Sequence, residues 1–344
     1  MSNTSSNAHV PGLAEETIDP LEETYIESLK KLTMERLRGQ YPDGKSIRRD
    51  AHPKTHGLVT AEFIVLDDFS YALRHGVFKT PRTFDALIRF SAGDVFPYPD
   101  TRVPRSGGMA IKLLGVEGDK LLPREKDAQT QDFIMINFPG FLAQSFQSYE
   151  ALHIADKPDT RARFYQEYPP EEALYKRQSL EPFNNPLQAR YFSQVPYMLG
   201  PTNAIKFSAK PITNAANRPV ETEGPDFLRE VMRQQAIESD VYFDFLVQVQ
   251  TDPVRMPIED SLTIWDEAQA PFQRVAIIRI PRQDITATGL EMAENLAFTP
   301  WHALPEHRPL GNMNRTRRVV YEMVSEFRRT ANGVGREEPT RLPE

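Results

Sequence analysis

The stretch 312–330 constrains this 344-residue chain more than any other. It contains no Gly or Pro and is bounded by Gly311 and Gly333, so it predicts one uninterrupted helix with Asn312 as its cap. Residues three and four positions apart share a helix face. One such face carries, in order, Arg317, Tyr321, Val324 and Arg328. A phenol between two arginines, where an amphipathic helix would place aliphatic residues, indicates a polar function for this face.

Tyr321 has two interpretations at this stage. Ionising a tyrosine at neutral pH requires lowering its pKa by roughly 3 units from about 10, or about 4 kcal/mol. A hydrogen bond from Arg317 supplies on the order of 1.5–3 kcal/mol, and a trivalent iron bound to the oxygen would supply the rest. The alternative is a half-buried tyrosine on a surface helix whose arginines are solvated.

The composition excludes several classes of protein. The net charge of −7 argues against a nucleic-acid partner. The absence of cysteine excludes disulfides, iron–sulfur clusters and thiolate-ligated zinc or haem, and leaves His, Met and Tyr among the usual haem ligands. No apolar run reaches about 18 residues, and the first residues lack the features of a secretion signal. We therefore expect a soluble, cytoplasmic protein without a membrane partner.

From residue 57 the hydrophobic period changes to two, which is typical of half-buried strands. The predicted strands are 59–65, 84–90, 109–114, 133–136, 204–209, 243–250 and 274–280. The segment 147–194 lacks alternation and predicts short helices, and a further helix is predicted at 226–239. This order of elements predicts the α+β class, with an antiparallel β-barrel surrounded by helices.

The chain is predicted to contain one domain and two polar ends. Residues 1–16 are expected to form a disordered N-terminal tail, residues 17–330 a single domain, and residues 331–344 a polar C-terminal tail. The domain is predicted to open with a helix that starts at Asp19-Pro20 and ends at Gly39.

Two shorter motifs could carry chemistry. Arg49-Asp-Ala-His52 precedes the first predicted strand, and a histidine there could move a proton between two substrate oxygens. Arg89-Phe-Ser91 ends the second predicted strand, where Ser91 could hold one ring nitrogen of His52. Each motif also has a simpler interpretation, as a hydrogen-bonded turn histidine and a solvated arginine at the end of a strand.

Taken together, these motifs resemble those of haem catalases and occur in the same order. They are Arg49-x-x-His52-x-x-x-x-Gly57, Arg89-Phe-Ser91, Gly108-Met-Ala-Ile-Lys-Leu113, and Arg317-x-x-x-Tyr321 followed by Arg328. The stretch 298–311 and the helix after it resemble, more narrowly, the short catalase-related haem proteins. The resemblance covers roughly residues 47–328 and implies the catalase-like haem fold with haem b, and its iron, as cofactor.

The resemblance also implies roles for single residues. Tyr321 becomes the iron ligand with Arg317 on its oxygen, and His52 becomes the distal acid–base group with Ser91 as its orienting partner. The haem propionates need cationic partners that can form two hydrogen bonds. The residues expected to contact the cofactor are Arg49, Arg89, Arg317, Tyr321, Arg328 and Phe141.

The chain departs from catalases where they carry a distal asparagine. The corresponding stretch here is Thr130-Gln131-Asp132, so Gln131 or Thr130 is expected to act as the distal hydrogen-bond donor, with Asn137 as a remoter candidate. This departure affects fast dismutation of hydrogen peroxide more than it affects haem binding.

The predicted function is that of a haem-dependent peroxidase or catalase-like oxidoreductase. It would act on hydrogen peroxide or organic hydroperoxides together with an organic reductant. Two alternatives stay open, a haem isomerase or lyase of fatty-acid hydroperoxides and a haem-binding protein without significant turnover. A homo-dimer or higher homo-oligomer is also expected, with the N-terminal helix as its contact.

Overall fold

The structure is a computed structural model that describes residues 11–155, 157–212 and 223–343. The helices are α1 (Glu22–Gln40), α2 (Phe146–Ile154), α3 (Pro158–Glu167), α4 (Pro169–Ser179), α5 (Phe227–Glu238), α6 (Ala287–Asn295) and α7 (Asn312–Asn332). The strands are β1 (Thr55–Val65), β2 (Arg82–Ala92), β3 (Gly107–Leu114), β4 (Thr130–Ile136), β5 (Tyr191–Phe192), β6 (Tyr197–Leu199), β7 (Asn203–Pro211), β8 (Val241–Val249) and β9 (Gln273–Ile280). No helix in this described part of the chain is both long and apolar enough to span a bilayer.

The sheet closes on itself as an eight-stranded antiparallel barrel. Strands β1 to β4 form a meander, β1 also pairs with β9, and β9 continues through β8 to β7. The two-residue strand β5 closes the ring, because Phe192 pairs with Ile136 of β4 on one side and with Ser208 of β7 on the other. Closure leaves only β6 as an addition to the ring, so the barrel exposes few unpaired backbone groups.

The barrel interior is packed with aromatic rings. Phe63, Phe133, Phe207 and Phe245 come from four different strands, and the ring centroids of Phe63 and Phe245 lie 5.0 Å apart. Each fully buried side chain of this kind stabilises the fold by about 1.5–3 kcal/mol. The interior is therefore a solid core, and a site for a large cofactor must lie between the barrel wall and the helices outside it.

The predicted α+β class and antiparallel barrel are confirmed. Each of the seven predicted strands occurs, extended by a few residues, and the helix predicted at 226–239 is α5. Sequence patterns missed the short strands β5 and β6 and the helix α6. One detail of α7 was wrong, since the cap residue is Gly311 and Asn312 is the first helical residue.

Parts of both predicted tails lie against the barrel and its helices. Residues 1–10 are outside the described residues, but the Ala14 amide donates to Gln250 Oε1 at 2.8 Å, and Glu16 forms an ion pair with Arg315 at 2.6 Å. At the other end, Glu338 reaches the fully buried Lys112 at 2.6 Å. Residues 11–16 and 331–343 thus extend the packed structure beyond the predicted bounds of 17–330.

Candidate functional site

Helix α7 begins at a position that only glycine suits. Gly311 has φ +85°, and a Cβ atom there would lie 2.7 Å from the carbonyl oxygen of Ile258. The Glu259 carboxylate accepts a hydrogen bond from the Asn312 amide at 2.7 Å, which supplies the negative charge that a helix N-terminus favours. These contacts determine where α7 starts and hence which residues face the barrel.

Arg317 and Tyr321 form a hydrogen-bonded pair on the inner face of α7. Arg317 Nη2 donates to the Tyr321 hydroxyl at 3.3 Å, and Arg317 Nη1 donates to Asn314 Oδ1 at 3.1 Å. Arg317 is 8% exposed and Arg328, on the same face, is 3% exposed. The interpretation of this face as a surface with solvated arginines is therefore wrong.

A second tyrosine, Tyr197, lies close to this pair. Its hydroxyl is buried and has no hydrogen-bond partner. Burial by itself would lower the pKa of Arg317, but the Tyr321 and Tyr197 oxygens favour its charged form and hold that pKa above its ordinary value. Arg317 therefore remains a cation beside the phenols of Tyr321 and Tyr197.

His52 lies on the barrel wall in an unusual backbone conformation. Its φ is +58°, a left-handed value that costs about 1–3 kcal/mol in a residue other than glycine. The His52 amide donates to the Asp94 carbonyl at 2.8 Å, and Arg89 Nη2 donates to the His52 carbonyl at 2.7 Å. Contacts on both sides of the residue thus hold the strained conformation.

The ring of His52 is also held by close contacts, like its backbone. Its Nδ1 lies 3.1 Å from the Ser91 hydroxyl, and a Cβ atom on Gly108 would come within 2.6 Å of the same nitrogen. Both partners come from neighbouring strands, since Ser91 on β2 pairs with Gly108 on β3. The ring therefore lies against the β3 backbone at Gly108, where a side chain on that residue would displace it.

His52 is neutral at physiological pH. Burial lowers its pKa to about 3, and the nearby charges of Arg89 and Arg317 contribute. Because Arg317 also bonds to Tyr321, the same guanidinium acts on His52 and on the phenol. Arg317 on α7 is therefore close enough to His52 to act on it while it donates to Tyr321.

Three buried arginines lie around the end of α6. Arg49 and Arg89 approach the Glu294 carboxylate at 3.5 and 3.9 Å, and Arg328 donates to the Glu294 carbonyl. Arg49 and Arg328 also donate to the Leu296 carbonyl, at 2.5 and 3.1 Å. The solvated-arginine interpretation of Arg89 is thus also wrong, because that residue is 3% exposed.

With Arg329, which lies beside Arg328, the arginine cluster has more positive charges than negative ones. Arg49 Nη1 and the Nε of the adjacent buried Arg329 have no hydrogen-bond partner. Burial and mutual repulsion lower the pKa of Arg49 and Arg328 to about 9. Four buried guanidinium groups with Glu294 as the carboxylate beside them fit a ligand that brings two carboxylates, as haem does with its propionates.

Helix α6 positions this cluster, and sequence reasoning missed it. Its N-cap, Thr286, accepts a hydrogen bond from the Gly289 amide at 3.0 Å. Thr286 before a short apolar segment is the signal that could have revealed the helix. Glu294 could not have been singled out, because its role depends on arginines that lie far from it in sequence.

Phe141 is linked to the site through Tyr149, which the sequence did not single out. The two rings meet edge to face with centroids 5.4 Å apart. Burial raises the pKa of Tyr149, and Tyr321 is close enough to add to the effect. Phe141 thus contacts Tyr149, and Tyr149 in turn lies near Tyr321.

The structure does not bring Thr130 and Gln131 to His52. Gly108 beside His52 pairs with Ile136, whereas Gln131 pairs with Leu113, five residues or roughly 17 Å further along the strands. Thr130 instead bonds to His302 at 2.5 Å, and Gln131 accepts from the Leu304 amide at 3.0 Å. The expected distal role of these two residues therefore has no geometric basis.

Asn137 follows the end of β4 that pairs with Gly108. Its side-chain Oδ1 accepts from the Gly107 backbone amide at 2.7 Å, and its backbone amide donates to the Gly107 carbonyl at 2.9 Å. Gly107 is adjacent to the residue on which the His52 ring packs. The remoter candidate is therefore the one that the barrel places near the histidine.

Comparison with known proteins gives a match in structure alone. No family model matches the sequence, and no curated protein does. A fungal catalase superposes with a TM-score of 0.65 at 16% identity, covering 94% of this chain and 66% of that one. A bacterial catalase gives 0.64 at 18% identity, covering 94% and 64%. Catalase A from Saccharomyces cerevisiae gives 0.63 at 18% identity, covering 94% and 68%.

This chain has the catalase fold. It spans about two thirds of the length of these catalases, so the shared part is the barrel with its surrounding helices. Within that fold, α7 carries the Tyr321–Arg317 pair, and the segment before β1 together with the end of β2 carries the His52–Ser91 pair.

Proposed function

We propose that this protein is a haem-dependent peroxidase or catalase-like oxidoreductase that acts on hydrogen peroxide or organic hydroperoxides. The observation that carries the proposal is the hydrogen bond from the buried Arg317 to Tyr321, in a fold in which Ser91 of the barrel also holds His52. A phenol that could hold iron and a neutral histidine that could take up a proton are the groups that peroxide cleavage at a haem requires. The fold supports the same reaction class by analogy.

The described residues fit haem b. Tyr321 would hold the iron, and Arg49, Arg89 and Arg328 would hold the propionates. When bound, haem supplies the iron centre at which the O–O bond of a peroxide is cleaved.

His52 supplies the proton chemistry. With its Nδ1 donating to the Ser91 hydroxyl, its Nε2 carries a lone pair and can accept the proton of the peroxide. The same nitrogen then returns that proton to the departing oxygen, so water or an alcohol leaves without a free ion. Ser91 would hold the ring through Nδ1 so that Nε2 stays free for this role, and Asn137 is the nearby side chain that we propose for orienting the peroxide.

The test is a haem titration of the wild type and of Tyr321→Phe, followed by visible absorption spectroscopy. A phenolate-type ferric spectrum in the wild type and its loss in the variant are expected. Tyr242→Phe, at an exposed tyrosine, is the matched control and should keep the wild-type spectrum. Identical spectra for wild type and Tyr321→Phe would refute the proposed ligand.

Adding peroxide to the haem-loaded protein separates the remaining alternatives. Turnover of hydrogen peroxide with oxidation of an added reductant supports the peroxidase. Rearrangement of a fatty-acid hydroperoxide without any reductant would support the isomerase or lyase instead. Stoichiometric haem with a rate no better than free haemin would mean a haem-binding protein.

A further inference from the structure

A surface cavity of about 540 Å³ lies beside the arginine cluster. Its size is within the range of about 300–1,000 Å³ that is common for small-molecule sites. Thr55 and Glu294 belong to its wall, and both also contact the arginine cluster. Thr55 and Glu294 therefore both line the cavity and contact the arginine cluster of the candidate haem site.

Two of the cations that line the cavity, Arg48 and Arg229, form no ion pair within 4 Å among the described residues, although the Glu294 and Asp226 carboxylates of the same wall attract them. Arg48 is exposed and takes part in no ion pair there. Arg229 donates one N–H to the Thr55 carbonyl at 2.9 Å, but its buried Nε has no hydrogen-bond partner. Guanidinium groups that form no ion pair favour a carboxylate ligand, because each can donate two hydrogen bonds to it.

The third cation of the wall, Lys54, is already neutralised. Its ammonium group lies 2.6 Å from Asp100 and 3.0 Å from Asp226. It also donates to the Pro225 carbonyl at 2.5 Å. Lys54 thus stabilises the wall, and an incoming anion would meet Arg48 and Arg229.

The rest of the wall has an apolar, rigid part made by Pro97, Pro99, Pro225 and Leu290. The carboxylates of Asp226 and Glu291 complete the lining. Three proline rings offer flat faces that lose no side-chain entropy on binding. Such a wall suits a planar ring better than a flexible chain.

We propose that this cavity binds a small hydroxyaromatic acid, a phenol that carries a carboxylate, as the electron donor of the reaction. This inference rests on the proposed peroxidase function. Two molecules of the donor each lose one electron and the phenolic proton, and one hydroperoxide is reduced at its O–O bond to an alcohol and water. The products are two phenoxyl radicals, so electrons, protons and oxygen atoms all balance.

A short hydrogen-bonded path joins the cavity to the site. The Thr55 hydroxyl donates to Glu294 at 2.5 Å, and Arg89 donates to that hydroxyl at 2.7 Å and to the His52 carbonyl at 2.7 Å. A donor held against Thr55 and Glu294 is therefore separated from the arginine cluster by a single hydrogen-bonded layer.

Binding is tested by calorimetric titration of 3,4-dihydroxycinnamate into the full chain, with and without haem. We expect the acid to bind to both forms and catechol, which lacks the carboxylate, to bind at least about tenfold more weakly. Arg48→Gln should remove this preference, and Glu291→Trp should block the cavity to both compounds. Glu230→Trp, at an exposed glutamate of α5 outside the cavity wall, should bind like the wild type.

The outcomes separate this inference from the proposed function. Absent binding of the acid, or equal binding by wild type, Arg48→Gln and Glu291→Trp, would overturn the donor site even if peroxide is consumed. Binding without peroxide-dependent oxidation, in a protein that oxidises guaiacol, would overturn the donor role alone. Tight binding and a higher KM for the acid in Arg48→Gln would support both the site and its role.

Discussion

His52 is the residue on which the proposed chemistry depends most. Replacing it by Ala removes the group that moves the peroxide proton, and we expect the rate of reaction with peroxide to fall by about 10²–10⁴-fold. Haem affinity should change little, because the arginines and Tyr321 are untouched. Stopped-flow mixing of the haem-loaded variant with hydrogen peroxide measures the effect, and an unchanged rate would contradict the role of His52.

The low pKa of His52 predicts how that rate depends on pH. Since burial and the neighbouring arginines lower the pKa to about 3, the ring stays neutral and able to accept a proton throughout the range from about pH 5 to 9. We expect a flat rate over this range and a loss only as pH falls towards the folded-state pKa. A midpoint near 6.5, the value of an unperturbed histidine, would show that the ring is more exposed to water than it is here.

At the scale of elements, the start of α7 positions the tyrosine. Gly311→Ala introduces a Cβ atom 2.7 Å from the Ile258 carbonyl at a residue with φ +85°. We expect this to lower the free energy of unfolding by about 1–3 kcal/mol and to weaken the binding of haem. Gly335→Ala, where nothing lies within 4 Å, is the control in a denaturant titration and should leave both quantities unchanged.

The C-terminal segment provides a second prediction at this scale. Glu338 accepts from Lys112 at 2.6 Å and from the Thr130 hydroxyl at 2.9 Å. Because Lys112 keeps Asp132 as a partner at 2.7 Å, Glu338→Ala should lower the free energy of unfolding by about 1–3 kcal/mol rather than unfold the protein. Chemical denaturation beside the exposed neighbour Glu337→Ala tests this, and equal stability of the two variants would mean that the contact contributes nothing.

At the scale of the whole molecule, buried neutral histidines make the fold sensitive to acid. Burial lowers the pKa of His307 to about 3 and that of His153 to about 4. Between these values and the unfolded value near 6.5, the unfolded chain binds more protons, so stability falls as pH falls. Each such histidine contributes up to about 1.4 kcal/mol per pH unit.

His307 allows this contribution to be isolated. Its Nε2 accepts from the Val77 amide at 3.0 Å, and Gln can offer an oxygen to the same amide without titrating. We expect the free energy of unfolding of His307→Gln to fall by about 1.4 kcal/mol less per pH unit between pH 6 and 4 than that of the wild type. Parallel curves for the two proteins, from urea titrations at several pH values, would contradict the linkage.

Local patterns were sufficient for most of the barrel and for the two faces of the site. Alternation in 59–65 and 84–90 and short apolar runs at 109–114 and 133–136 are local patterns that follow from burial of the strands. The spacing of Arg317 and Tyr321 is likewise a local property of a helix, so their hydrogen bond was predictable. The contact between His52 and Ser91 could be expected only if the start of β1, which His52 precedes, lies beside the end of β2.

What the sequence alone determined about this protein was therefore most of its strands, the helix α7 that carries Tyr321, and the residue types of the candidate site. The tertiary structure decided how these meet. Barrel register places Asn137, and not Gln131 or Thr130, beside Gly107, next to the residue against which the His52 ring lies, because register depends on pairings between distant strands. Likewise Glu294, the arginine cluster and the adjoining cavity exist only once α6 packs on the barrel, since their charges interact through space and not along the chain.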